Sequence, residues 1–569
     1  MNCCTTITHY WPTDSRSGPV RRSRLGGRHR TTLLRVGFAL ACCAVLTAAR
    51  AGDPGEVLYQ QGLLPSGEPI RAVREGNAAM EGADAACVNC HRRSGLGSGE
   101  GLITIPPIAG PYLFAPRTKS LEELGIPFVE GVRLNREAYT DASLARVIRD
   151  GIDSDGKTLN YLMPRYRLDD DAMAALIGYL KDMSHGPVPG VTPSVLHFAT
   201  IITPDADPRK RSGVLDVLNK YFADKNAAVR STAPTLYSSH RMFFRVARRW
   251  ELHVWELTGA SSTWRAQLRK HLAAEPVFAV ISGLGGREWE PVHDFCEEER
   301  LPCLFPNVSA PVARADDFYS LYFSRGVLLE AEMIGRELRD GKAGNVARPQ
   351  RIVQVFRSDD VGEQGSSALG KALGPTDYRL VNRALKSGAS DKDLAASLKD
   401  LGPGDVLVLW LRGPDLLSLE KLRPPAGITA FASGEMADFE SAPVPAGWRP
   451  VTRLTYPVDL PERRVVRVDY ALGWFRIRQI PVVAQQVQAD TYLACGILSE
   501  TLNHMVDAFV RDYLLERMEM DLDHRVLTGY YPRLTLAPQQ RFASKGGYIV
   551  RFTEPQGSKV APLSDWMTP

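Results

Sequence analysis

The pentapeptide Cys87-Val88-Asn89-Cys90-His91 has the C-x-x-C-H spacing of a covalent haem site. Two thiols three residues apart form thioethers to the porphyrin vinyl groups, and the adjoining imidazole coordinates the iron. C-x-x-C also occurs in zinc sites and in thioredoxin-like redox pairs. A zinc site needs two more N or S ligands, but the next cysteine is Cys296 and the nearest downstream histidine is His185. No strand-helix unit frames the motif as a redox pair requires. The reading is therefore one covalent haem c, attached through Cys87 and Cys90 and ligated by His91.

A second axial ligand is sought downstream. Met163 sits in Asn160-Tyr161-Leu162-Met163-Pro164, where Pro164 disfavours helix and presents the thioether from an extended loop. Met173 and Met183 instead share a helical stripe with Leu176, Ile177 and Leu180 and read as packing. The intervening Gly151-Ile152-Asp153-Ser154-Asp155-Gly156-Lys157-Thr158 matches the phosphate-loop pattern. It follows a predicted helix rather than a strand, carries two aspartates and is soon ended by Pro164, so nucleotide binding is rejected.

Residues from about Pro54 to Met183 resemble a class I cytochrome c. The likeness rests on the C-x-x-C-H, on Pro107-Ile108-Ala109-Gly110, on the run ending at Met163-Pro164, and on a closing helix Asp169 to Lys181. It implies a small all-α domain over 52–186, electron transfer with His91 and Met163 as axial ligands, and a Pro107 carbonyl accepting from His91 Nδ1. A long insert, Tyr112 to Glu137, departs from the family pattern.

The 569 residues, 44% hydrophobic and 24% charged, give an ordinary globular composition with room for several domains. The formal charge of +4 misleads: residues 1–51 hold eight Arg and one Asp, a net of +7, which leaves −3 for the rest. Charge therefore gives no argument for nucleic acid. Residues 1–51 read as a secretory signal, with Arg21, Arg22, Arg24, Arg28 and Arg30 before an apolar Val36 to Leu46 and a small-x-small Ala49-Arg50-Ala51. Export to a bacterial periplasm, with cleavage after Ala51 and no stable membrane span afterwards, is expected; an uncleaved anchor or lipidation at Cys42 or Cys43 are the rivals. In that oxidising compartment Cys296 and Cys303 are close enough in sequence to form a disulfide or to remain two buried thiols, and Cys495 is expected to be free.

Residues 187–194, rich in Pro and Gly, read as a linker. Strand and helix then alternate: Val195–Ile202, Trp250–Leu257, Val277–Ser282, Cys303–Phe305, Arg351–Phe356, Val406–Leu411 and Ile428–Ala432 are strand-length apolar runs separated by helical periodicity. This pattern predicts parallel sheets covered by helices, in two lobes. The order and the local segments Phe278 to Gly283, Leu301 to Ser309, Arg357 to Gly362 and Ser544 to Tyr548 resemble a type I periplasmic binding protein, the branched-chain amino-acid receptor family of ABC uptake systems. That resemblance implies a domain over 195–569. One lobe would hold about 195–324 and 452–526, the other about 325–451 and 527–555, with crossings near Phe323, Val451 and Val526.

Ligands of open α/β sheets sit beyond the carboxyl ends of the strands. Ser282, Gly283 and Arg287 there offer an anion free N–H groups and a guanidinium; Asn307, Ser309 and Ser433 follow other strands, and Glu435 suits an ammonium group. His197 and His253 read as core residues of strands, and His293 and His504 lack an i+4 partner for a metal. Neither G-x-S-x-G nor H-E-x-x-H occurs, so hydrolase chemistry has no foothold. The expected protein is an electron-transfer and binding protein rather than a catalyst, meeting a redox partner (a dehydrogenase or another cytochrome) and a solute such as an amino acid or organic acid. A receptor or sensor with an accessory haem, and an oxidoreductase subunit acting on its ligand, are the alternatives.

Overall fold

Asp53 is the N-cap of the first helix: its carboxylate accepts from Gly55 N at 2.8 Å, and Pro54 takes the first helical position. The computed structural model describes residues 53–74, 76–100, 103–115, 136–231, 248–312, 314–340, 351–375, 379–441, 443–505 and 508–569. The leader and residues 116–135 of the predicted insert lie outside the described residues.

The N-terminal module contains α1 (Pro54–Gln61), β1 (Arg71–Arg74), β2 (Ala78–Glu81), α2 (Val88–His91), β3 (Ser98–Glu100), β4 (Ile103–Ile105), α3 (Gly110–Leu113), α4 (Asp141–Asp150), β5 (Arg165–Arg167) and α5 (Asp170–Asp182). α1 crosses α5 at Gly55, where an added Cβ would lie 2.3 Å from the Ala175 carbonyl oxygen. Leu58, Tyr59, Leu144, Val147, Met173, Leu176, Leu180 and Met183 fill the module's core, so the two methionines are packing residues. The module is not all-helical, which corrects the expectation. An antiparallel sheet of order β2-β1-β5 and a β3-β4 hairpin accompany the helices. Ala72 pairs with Tyr166 across that sheet and both are buried, so these short segments gain burial as strands that they lack as coil.

The first lobe holds β6 (Val195–Ile202), α6 (Pro208–Ser231), β7 (Arg249–Glu256), α7 (Trp264–Ala274), β8 (Ala279–Ile281), α8 (Glu290–Glu298), β9 (Cys303–Leu304) and β10 (Ser320–Leu321). Its sheet, order β10-β9-β8-β6-β7, is parallel throughout. β6 and β8 are nearly continuous apolar runs because helices cover both faces of a parallel sheet.

The second lobe holds α9 (Val327–Asp340), β11 (Arg351–Arg357), α10 (Gly362–Leu373), β12 (Arg379–Leu385), α11 (Asp391–Ala396), β13 (Asp405–Trp410), α12 (Gly413–Ser418), β14 (Thr429–Ala432), α13 (Gly434–Ala437) and β15 (Thr452–Tyr456). After these, α14 (Pro461–Arg478), α15 (Gln485–Met505) and α16 (Arg511–Leu522) return to the first lobe: α15 packs on α6, and Arg511 on α16 donates to the carbonyls of Val277 and Phe278. β16 (Tyr548–Phe552) and β17 (Val560–Pro562) then complete the second sheet, order β12-β11-β13-β14-β15-β16-β17, as an antiparallel edge.

The second crossing therefore follows Tyr456 rather than lying near Val451, because β15 is hydrogen-bonded into the second sheet. The third is made by the segment before Tyr548 rather than at Val526. Tyr322 and Phe542 pair in parallel along the way, so the first and third crossings run side by side. Residues 52–569 form one unit. The linker is not a free tether: Gly190 lies against Val277 and Phe278, and Val188 and Val191 pack on the main core.

Candidate functional site

The haem-type site is built on one helical turn. His91 N donates to Cys87 O at 3.0 Å, so α2 sets both cysteines and the histidine on a single short helix. His91 is buried, and loss of solvation lowers its pKa to about 4, which keeps the ring neutral and able to ligate. Its Nδ1 lies 3.3 Å from the carbonyl of Pro106, leaving Nε2 for a metal. The predicted partner was Pro107; the hairpin β3-β4 delivers the preceding proline, a shift of one residue. Burial pushes the Cys87 thiol up to about 12. Met163 follows a turn closed by Met163 N on Asn160 O and packs with Cys87 on the rim of one apolar cluster. This donor set, two thiols and a buried neutral imidazole, with a loop methionine packed on the same apolar cluster as Cys87, fits a covalent haem.

The phosphate-loop match has no anion cradle. The Asp153 carboxylate accepts from Asp155 N and Lys157 N, and Ile152 pairs with Thr158, so the loop's own aspartate occupies the N–H groups a phosphate would need.

The segment after His91 docks on the first lobe. Ser94 donates through N (2.9 Å) and Oγ (2.6 Å) to Glu516 on α16, the Arg93 guanidinium lies 4.4 Å over the Phe318 ring, and Leu96 and Ala109 join the main core. Burial raises Glu516 to about 8.

A cleft of about 600 Å³ lies between the lobes. Of the predicted ligand residues it gathers Arg287, Asn307, Ser309 and Glu435. It does not include Ser282, Gly283 or Ser433. Ser282 is fully buried and donates to Thr491 on α15 at 2.8 Å, the Gly283 carbonyl accepts from Asn307 N, and Ser433 caps α13 while donating to the buried Glu330. The anion nest expected at 282–287 is closed from within: Gly285 N donates to Asn307 O, Gly286 N to Thr203 Oγ1 and Arg287 N to Asp205 Oδ2. Arg287 also spans the lobes, donating to the Asp359 carbonyl at 2.7 Å.

The other two arginines of the cleft are engaged too. Arg412 grips Asp360 with two bonds of 2.5 and 2.6 Å, and Arg357 grips Asp415 with bonds of 2.9 and 2.6 Å. Lys210, Glu440, Asp490 and Tyr531 line the cleft although no motif marked them. No local pattern marks Asp490, which follows Gln485, Gln486 and Gln488 at the polar start of α15. Trp289, Trp410 and Trp448 are buried in the cores, and neither they nor Trp474 line the cleft.

Cys296 and Cys303 are two free thiols, not a disulfide, fully buried in the same apolar cluster and close enough to hydrogen-bond. Among the described residues two clusters have donor atoms close enough for a metal ion. His293, Glu297 and Asp317 form a buried pin, with His293 Nδ1 2.9 Å from Tyr322 OH and Nε2 3.0 Å from Asp317. His197 and His253, predicted as core residues, instead meet at 3.0 Å beside Glu251 on a partly open face of β6 and β7.

No family model matches the sequence, and no curated protein matches it. Solved structures similar to this chain include a possible leucine/isoleucine/valine-binding protein from Rhodopirellula baltica, 13% identical, covering 65% of this chain and 97% of that one with a TM-score of 0.48. A branched-chain amino acid ABC transporter protein from Thermus thermophilus with bound valine is 9% identical, covering 67% and 97%, TM-score 0.47. A fatty acid ABC transporter substrate-binding protein from Thermomonospora curvata is 12% identical, covering 68% and 95%, TM-score 0.44.

Proposed function

We propose that this chain is a periplasmic c-type electron carrier, holding one covalent haem on Cys87 and Cys90, joined to a solute-binding module of the type I periplasmic-binding-protein kind. The observation that carries the first half is the buried His91 with its Nδ1 held by the Pro106 carbonyl, directly after two cysteines on the same turn. In this reading His91 Nε2 and Met163 are the axial ligands, and a haem so ligated supplies one-electron transfer at a raised potential. The chain's residues orient the imidazole, exclude water and carry the loop that meets α16. Two parallel-sheet lobes with a cleft at the strand ends support the second half. Among the described residues no helix is long and apolar enough to cross a membrane. A redox protein partner and a small solute are the partners this reading requires.

Mass spectrometry of protein purified from a host with haem-attachment machinery tests it. One haem mass retained on the peptide bearing Cys87 and Cys90 after acid-solvent extraction is the expected result. A colourless protein, or pigment lost to the solvent, overturns the haem reading. Titrating the haem potential with and without solute then tests coupling; an unchanged potential with a bound solute leaves two modules that share only a chain.

A further inference from the structure

The cleft's chemistry points away from the carboxylate-bearing solutes expected from the sequence. Eight carboxylates and four basic side chains line it among the described residues. Three of the four bases are already spent: Arg412 on Asp360, Arg357 on Asp415, and Arg287 on Asp205 and the Asp359 carbonyl. The N–H groups of 285–287 are taken as well. Little remains to hold an anion.

The unsatisfied group is acidic. Asp490, on α15, is only 5% exposed; its Oδ2 accepts from Tyr531 OH at 3.1 Å, and its Oδ1 has no hydrogen-bond partner. A buried carboxylate oxygen without a partner, on a residue of the cleft wall, is costly unless a ligand completes it. Glu435 and Glu440 are near enough to repel it, and Glu440 is tied to Tyr530 and Arg464. Leu284, Val308, Phe323, Val483 and Val487 supply apolar wall between these charges. Such walls suit an alkyl chain. A bare metal ion is disfavoured, since among the described residues no three of the cleft's carboxylates bring ligand oxygens within 4.8 Å of one another.

We propose that the cleft binds an organic cation, an aliphatic amine or diamine, with an ammonium group seated on Asp490 Oδ1 and Glu435. This rests on the solute-binding reading above and names its ligand class.

Burial pushes Asp490 up to about 8, so ammonium binding drives a proton off it in neutral solution. Tyr531, Gln486, Glu435 and Glu440 face that carboxylate, with Lys210 and Arg412 further along the cleft. Amine affinity therefore rises with pH between 6 and 8.

The test is calorimetric titration of the full chain with butylamine, 1,4-diaminobutane, leucine, succinate and Ca²⁺, in buffers of different ionisation heat. The expected result is amine binding with proton release, at least tenfold tighter than leucine or succinate, and weakened at least tenfold in both D490N and E435Q. Tighter binding of leucine or succinate overturns the cation assignment and leaves the solute cleft standing. Binding of Ca²⁺ that excludes amines overturns it in favour of a metal. Binding of none of the five overturns both this proposal and the solute-binding reading.

Discussion

Ser94 directs both of its donors at one carboxyl group: its N lies 2.9 Å from Glu516 Oε1 and its Oγ 2.6 Å from Oε2, across 422 residues of chain. Ser94 stands three residues after His91, and Glu516 belongs to a helix of the binding module. The haem-type loop is thus fastened to the lobe that forms one wall of the cleft.

Removing that carboxyl group strands two buried donors. E516A is expected to lose about 2 to 4 kcal/mol of stability in urea unfolding, since each stranded donor costs about 1–2 kcal/mol. E516Q is expected to stay near wild type, because Glu516, raised to about 8, is mostly neutral at pH 7 and an amide mimics it. Equal damage from Gln and Ala would contradict a protonated carboxyl at this joint.

Three buried acids set the pH dependence. Glu330, Asp490 and Glu516 are each raised to about 8 by burial. The folded state binds protons that the unfolded state has released, so stability falls as pH rises from the ordinary carboxylate range through about 8. Carboxylates held down by arginine, such as Asp400 at about 2, act only in strong acid. Melting temperature is expected to fall from pH 6 to pH 8.5, with a shallower slope in E516Q.

Glu330 holds the second wall of the cleft. Its carboxyl group accepts from Ser433 Oγ, from Thr455 Oγ1 at 2.7 Å and from Glu435 N at 2.9 Å. E330A is expected to cost on the order of 3 kcal/mol and to weaken solute binding through the displaced 433–437 turn, seen as a lower denaturant midpoint and a lower affinity together.

Ligation by Met163 has a spectroscopic reading. The oxidised protein is expected to show a weak near-infrared sulfur-to-iron band, and M163A to lose it; a band that survives assigns the bond to another side chain.

The three described cysteines beyond Cys87 and Cys90 are buried thiols, with Cys495 pushed up by desolvation. A thiol reagent is expected to find none of Cys296, Cys303 and Cys495 in the native protein and all three after unfolding in denaturant. Recovery of one thiol instead of three would establish a Cys296–Cys303 bond.

Much of the fold is legible because parallel strands covered by helices leave mostly apolar runs: Val195–Ile202, broken only by His197 and Thr200, has the boundaries its sequence predicts. The edge strand Arg379–Leu385 left no such mark, being largely solvent-facing and interrupted by Asn382 and Arg383. The N-terminal strands were missed because three- and four-residue segments gain their burial from partners distant in the chain.

By itself the sequence determined the turn that sets Cys87, Cys90 and His91 together, since C-x-x-C-H is a local pattern that one helical turn satisfies, and the alternation of strands and helices that specifies two lobes. Only the tertiary structure decided which polar groups face the cleft. Ser282 and Ser433 follow strands as a ligand residue would, yet their hydroxyls turn inward to Thr491 and Glu330. Asp490 carries no motif, yet it lines the cleft and has one oxygen unpaired. A side chain's partner depends on which distant segment packs beside it, and local spacing does not encode that.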